Sequence, residues 1–65
     1  MEYNIGDYVK YENSEGKIVI CEVLDRTYET NTYLLEDTQT HTRYIDVFED
    51  HIIDIYTGDI PQSES

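Results

Sequence analysis

The sequence predicts an all-β fold: a small, strongly bent five-stranded barrel with a short 3₁₀ turn before the last strand. Three observations carry this. Ile, Val, Thr and Tyr dominate a chain of 65 residues, and these residues suit strands better than helices. No segment repeats apolar residues at i, i+3, i+4 and i+7 over several turns. Turn-forming residues recur every 8–12 residues or so, the rhythm of short strands in a small barrel.

Each element follows from its residues. Residues 3–11 open the body, with Ile5, Val9 and Tyr11 around Gly6-Asp7. Asn13-Ser14-Glu15-Gly16 is a turn whose glycine is free to take positive φ. Residues 17–24 form the strongest strand, rich in Ile and Val. Its Ile18-Val19-Ile20-Cys21 run is apolar on both faces, and positions 19 and 21 should point outward unless a sharp bend tucks them in. Outward-facing Val19 and Cys21 would form a homodimer interface that also covers an edge strand. Residues 27–31 are a polar turn, and residues 32–36 a strand with Tyr33 and Leu35 on one face. After a turn at 37–41, residues 42–47 alternate, Tyr44 on one face and Arg43, Ile45 and Val47 on the other. Residues 48–51 make the 3₁₀ turn and 52–56 the fifth strand. From residue 57 the apolar pattern ends and Gly58, Pro61, Ser63 and Ser65 accumulate. The body is therefore residues 1–56 and the tail, residues 57–65, is flexible.

Three segments carry a family resemblance. Ile5-Gly6-Asp7-Tyr8-Val9-Lys10-Tyr11, then Gly16-Lys17-Ile18-Val19-Ile20-Cys21-Glu22-Val23, then Tyr33-Leu34-Leu35-Glu36 together resemble the opening of SH3-like small barrels. Val47-Phe48-Glu49-Asp50-His51-Ile52 is similar to the short turn before their last strand. The likeness spans residues 4–55 and speaks to fold; many unrelated functions share such barrels.

Chemistry is sparse. Cys21 is the only cysteine, so no internal disulfide forms and a cytoplasmic setting is expected. No apolar run approaches the roughly 18–20 residues of a membrane span, and Met1-Glu2-Tyr3-Asn4 lacks the regions of a signal peptide. His41, His51 and Cys21 have no zinc-ligand spacing. Asp46, Glu49, Asp50 and Asp54 lack the alternate oxygen ligands and mid-loop glycine of a calcium hand. There is no phosphate-cradling glycine loop. Neither a metal, a cofactor nor an enzymatic activity is expected.

Charge is the dominant signal. Fifteen Asp and Glu stand against four Lys and Arg, a net −11. Such a chain repels nucleic acid and anionic membranes, and a basic partner suits it. A compact chain of this length has a radius of gyration of about 11 Å, and eleven charges match those on roughly 19 Å of DNA duplex. The net charge per length therefore approaches that of DNA. Residues 32–65 hold the larger share: Glu36, Asp37, Asp46, Glu49, Asp50, Asp54 and Asp59 are opposed only by Arg43. Glu12, Glu15, Glu22, Asp25 and Glu29 form a second flank, partly offset by Lys17 and Arg26.

By type, the size, acidity and absence of catalytic motifs resemble the small host-takeover proteins of bacteriophages. That resemblance implies a DNA-mimic inhibitor. It would occupy the DNA-binding surface of a basic bacterial DNA-binding protein, an HU-like nucleoid protein in first place, in the host cytoplasm. The alternative is an SH3-like interaction module that binds a peptide or larger complex through exposed tyrosines. Most of the seven tyrosines are expected to fill the core, with Tyr8 and Tyr28 exposed as possible anchors.

Overall fold

The computed structural model describes residues 2–60. Five strands follow one another: β1 (Tyr8–Glu12), β2 (Ile18–Thr27), β3 (Thr32–Asp37), β4 (Arg43–Phe48) and β5 (Ile52–Ile55), with a 3₁₀ turn at Glu49–His51 leading into the last. All pairings are antiparallel, and the strand order is β4-β3-β2-β1-β5. The predicted fold class, strand number and 3₁₀ turn are thus present. Closure is not: β4 and β5 stand at opposite ends of the ladder, leaving a bent, open sheet. The radius of gyration is 10.9 Å, within extents of 36 × 23 × 18 Å.

β2 explains the bend. Its first half pairs with β1, from Glu12↔Ile18 to Tyr8↔Glu22, and its second half with β3, from Cys21↔Asp37 to Thr27↔Thr32. One long strand therefore belongs to both halves of the sheet. Register breaks sharpen the curl. In β2, Val23 faces Leu35 and Asp25 faces Leu34, so Leu24 is an extra residue. In β4, Tyr44 faces Leu35 and Val47 faces Tyr33, so Ile45 and Asp46 together oppose Leu34. In β5, Ile53 is extra between Ile52 and Asp54. Extra residues of this kind bend a strand and shift the side-chain alternation by one.

The β4 bulge overturns the expected alternation. Asp46 sits at φ +52°, in the left-handed region. Tyr44 therefore turns toward the core and Val47 joins it, while Ile45 is 73% exposed. Asp is among the few side chains that tolerate this conformation.

The core is Tyr3, Val9, Tyr11, Val19, Cys21, Val23, Tyr33, Leu35, Val47 and Ile52, with Tyr44 against it. Val19 and Cys21 are thus inside, which corrects their assignment to an outward homodimer face. Their partners across the ladder decide it: Cys21 faces Val9 and Val19 faces Tyr11, and all four are buried. Tyrosines fill much of the interior, as expected. The Tyr3 and Tyr33 rings meet edge-on at 5.9 Å, and those of Tyr11 and Tyr44 lie 4.9 Å apart. Such pairs add about 0.5–1.5 kcal/mol beyond the burial of their area.

After β5 the chain is tied back at first. The Tyr56 hydroxyl donates to the Asp59 carbonyl at 2.7 Å. The Tyr56 side chain lies so close over Gly58 that a Cβ there would meet its hydroxyl oxygen at 2.7 Å and its ring at 2.9 Å. Residues 61–65 lie outside the described residues.

Candidate interaction surface

The two acidic flanks of the sequence redistribute in three dimensions. At one end of the sheet, Thr27, Thr32 and Phe48 lie side by side on β2, β3 and β4. This brings the turn at residues 28–31 against the 3₁₀ turn, and Asn31, Phe48, Glu49, Asp50 and His51 line a shared hollow of about 200 Å³. Around this end stand Glu2, Asp25, Glu29, Asp46, Glu49 and Asp50. Five of them are exposed; Glu49 is half-buried and accepts the Tyr33 hydroxyl proton at 3.4 Å. We call this end the acid pole. Its carboxylates are spread out, and among the described residues no group of three or more metal-ligating side chains converges on one point.

Among the described residues the pole holds one Lys or Arg, Arg26, and its side chain is hidden; His51 is exposed beside the hollow. The Arg26 side chain is only 5% exposed, against 77% for Glu2, which approaches it at 3.7 Å. The β2 bulge places Arg26 opposite Tyr33. The guanidinium carbon sits 4.3 Å from the centre of the Tyr33 ring and 4.8 Å from that of Tyr28. Nη2 donates to Asn31 Oδ1 at 2.7 Å, while Nε and Nη1 are buried without a hydrogen-bond partner among the described residues. The surface of the pole therefore shows carboxylates, and its countercharge lies beneath two rings.

The other predicted carboxylates fall elsewhere. Asp37 is 4% exposed and corrects its assignment to a partner-binding row. Its Oδ1 accepts the backbone N–H groups of Gln39 at 2.8 Å and Thr40 at 3.3 Å, closing the β3–β4 turn. Glu36 is half-buried and already paired, with Arg43 Nε at 3.0 Å and His41 Nδ1 at 3.3 Å. These contacts, Arg43 first, hold its carboxyl below the usual carboxylate range. Glu22 lies directly opposite it. Asp54 faces Lys10 across the β1–β5 ladder. Glu12 and Glu15 are exposed near the β1–β2 turn, next to Lys17, and Asp59 lies beyond β5. The sequence thus identifies Asp25, Glu29, Asp46, Glu49 and Asp50, divided between its two flanks, and misses Glu2. Glu2 could not be found by spacing, because the turn at residues 4–7 carries the N-terminal segment back across the sheet.

Aromatic and apolar groups stand among these carboxylates. Tyr28 is 76% exposed, as the sequence predicts, and Phe48 and Ile45 are exposed on β4. Tyr8, the other expected anchor, is half-buried in the middle of the sheet. Cys21 is enclosed: burial, and then the nearby Asp37 charge, push its thiol up to about 12. No helix among the described residues is long and apolar enough to cross a membrane. Set against known proteins, the chain matches no family model, no curated protein and no solved structure, so the case for its function rests on this pole.

Proposed function

We propose that this protein is a DNA-mimic inhibitor: it lays the acid pole on the DNA-binding surface of a basic bacterial DNA-binding protein and keeps DNA off. An HU-like nucleoid protein is the favoured target, met in the host cytoplasm by a phage-encoded chain. The observation that carries this reading is the arrangement of Glu2, Asp25, Glu29, Asp46, Glu49 and Asp50 around one end, where Arg26, the one Lys or Arg there among the described residues, has its side chain buried. Asp25 and Asp46 are held on strands of the sheet, Glu49 and Asp50 on the 3₁₀ turn, Glu29 on the β2–β3 turn and Glu2 ahead of β1, so together they present an anionic surface that a basic partner would meet as it meets phosphates. Basic side chains that neutralise phosphates would pair with it and release counterions from both surfaces.

The test is competition. Purified HU-like protein on labelled duplex DNA should release the DNA when this chain is added. The protein–protein affinity should fall steeply with salt, because exposed charge pairs are screened. Affinity that stays flat between 50 and 300 mM salt sinks the proposal. Replacing Asp25, Glu29 and Asp50 with Lys should abolish binding and leave the fold intact.

A second reading has one observation in its favour, the exposure of Tyr28 at the same pole. An SH3-like module would bind through such a ring with little salt dependence. Loss of binding in Tyr28→Ala, with the charge reversals harmless, selects it.

A further inference from the structure

Leu34 is the one residue of β3 flanked by an irregularity on each side. Asp25 faces it from β2, next to the extra Leu24, and Ile45 and Asp46 together face it from β4. Leu34 alternates with the buried Tyr33 and Leu35, so it points to the outer face of the sheet. There the two irregularities leave a hollow of about 150 Å³, lined mainly by Leu34, Ile45, Thr27, Thr32, Asp25 and Asp46. Pockets for whole small molecules start at roughly 300 Å³; this one has room for a single side chain. Its floor is aliphatic. Its two carboxylates stand on strands either side of β3, roughly 10 Å apart across the ladder.

No Lys, Arg or His lines the hollow. Asp25 Oδ1 accepts only the Arg26 backbone N–H, at 2.8 Å, and among the described residues neither Asp25 nor Asp46 is in an ion pair. Arg26 itself lies on the opposite face, against Tyr33. We propose that the hollow over Leu34 is a socket for one arginine side chain of a basic partner protein, with its methylenes on Leu34 and Ile45 and its guanidinium between Asp25 and Asp46. A long basic side chain lays its stem on apolar surface and keeps its head among polar groups. Arginine suits the two-sided site better than lysine, because its planar fork carries donors on both edges while an ammonium is a point charge. The inference rests on the DNA-mimic reading and sharpens it: the pole attracts a basic surface, and this site registers it.

The probes are nona-arginine and nona-lysine, titrated into the ¹⁵N-labelled protein at 50 mM salt. Wild type should bind nona-arginine at least fivefold tighter than nona-lysine, with the largest shifts at the amides of Leu34, Ile45 and Asp46. The double variant Asp25→Asn/Asp46→Asn should lose that preference and at least tenfold in affinity. Asn keeps the acceptor for the Arg26 N–H and tolerates positive φ, so the fold survives. The control Glu29→Gln/Asp50→Asn removes the same charge from the same pole and should cost about threefold or less. Ile45→Ser, which changes no charge, should weaken nona-arginine alone. Equal binding of the two peptides, or equal losses in the two double variants, overturns the socket and leaves the charge reading standing. Failure of wild type to bind either peptide overturns both.

Discussion

Arg26 lies over the Tyr33 ring, guanidinium carbon 4.3 Å from the ring centre, at the end of the molecule where the Asp and Glu of the acid pole gather. This contact joins structure to surface character. It orders the 28–31 turn through Asn31 and draws the Arg26 cation out of solvent. Replacing it with Leu should cost about 1–2 kcal/mol, the range for a desolvated cation–π contact plus a hydrogen bond. Urea denaturation measures that loss. Binding to a basic partner at low salt should hold or strengthen, since the field at the pole becomes more negative.

The Asp46 backbone makes an opposed pair of predictions. A β-branched residue at φ +52° is strained, so Asp46→Val should lose about 1–2 kcal/mol. Asp46→Gly should melt at or above the wild-type temperature, because glycine adopts this conformation freely. Matched thermal melts check both. A destabilised glycine variant would show that the aspartate side chain, rather than the backbone, holds the bulge.

Asp37 separates structural from recognition carboxylates. Asp37→Ala removes the acceptor for two turn N–H groups and should cost about 1–2 kcal/mol. Asp37→Asn, which keeps an oxygen at that position, should recover most of it. Neither should alter the salt dependence of partner binding, which competition titrations read directly.

Glu36 gives a pH dependence of known sign. Its carboxyl is held low in the folded state by Arg43 and His41. Its contribution to stability is therefore full above the ordinary carboxylate range and is lost as pH falls through the lowered value. In Arg43→Ala the Glu36 midpoint should rise toward the ordinary glutamate value of about 4.3. Carboxyl-detected NMR titration follows this one group among the acids.

Cys21 should be inert in the native protein. With its thiol pushed up to about 12 and its side chain fully enclosed, a disulfide reagent at pH 8 should react at the rate of unfolding. In 6 M guanidinium the reaction should be complete within seconds to minutes. Fast labelling of native protein would contradict the placement of Cys21 in the core.

How much of this was legible follows from the kinds of residue involved. Gly16, Asn31 and the run at 37–41 mark their turns by local chemistry, and the five strands fall between them as expected. Parity was harder. Ile18-Val19-Ile20-Cys21 is apolar on both faces, and only pairing with Val9 and Tyr11 shows which face is inward. Tyr44 and Val47 point the same way because of a bulge that nothing in the local pattern of residues 42–47 announces. Asp37 reads as one more acid, yet its turn needs an acceptor. The acid pole itself joins Asp25 and Glu29 to Asp46, Glu49 and Asp50 across more than a dozen residues of chain, a juxtaposition made by strand order alone.

The unclosed sheet has a consequence of its own. Among the described residues β4 and β5 each present an outer edge with no neighbouring strand, the geometry that invites strands from another copy to add on. Each edge carries an exposed aspartate, Asp46 in the β4 bulge and Asp54 in β5. Ionised, these residues and the whole surface keep copies apart. Below the carboxylate range that repulsion fades while the edges and the exposed Ile45, Ile53 and Ile55 remain. Acid then removes the safeguard against fibrous stacking, and the charge proposed to meet a basic target would also keep the chain from assembling with itself.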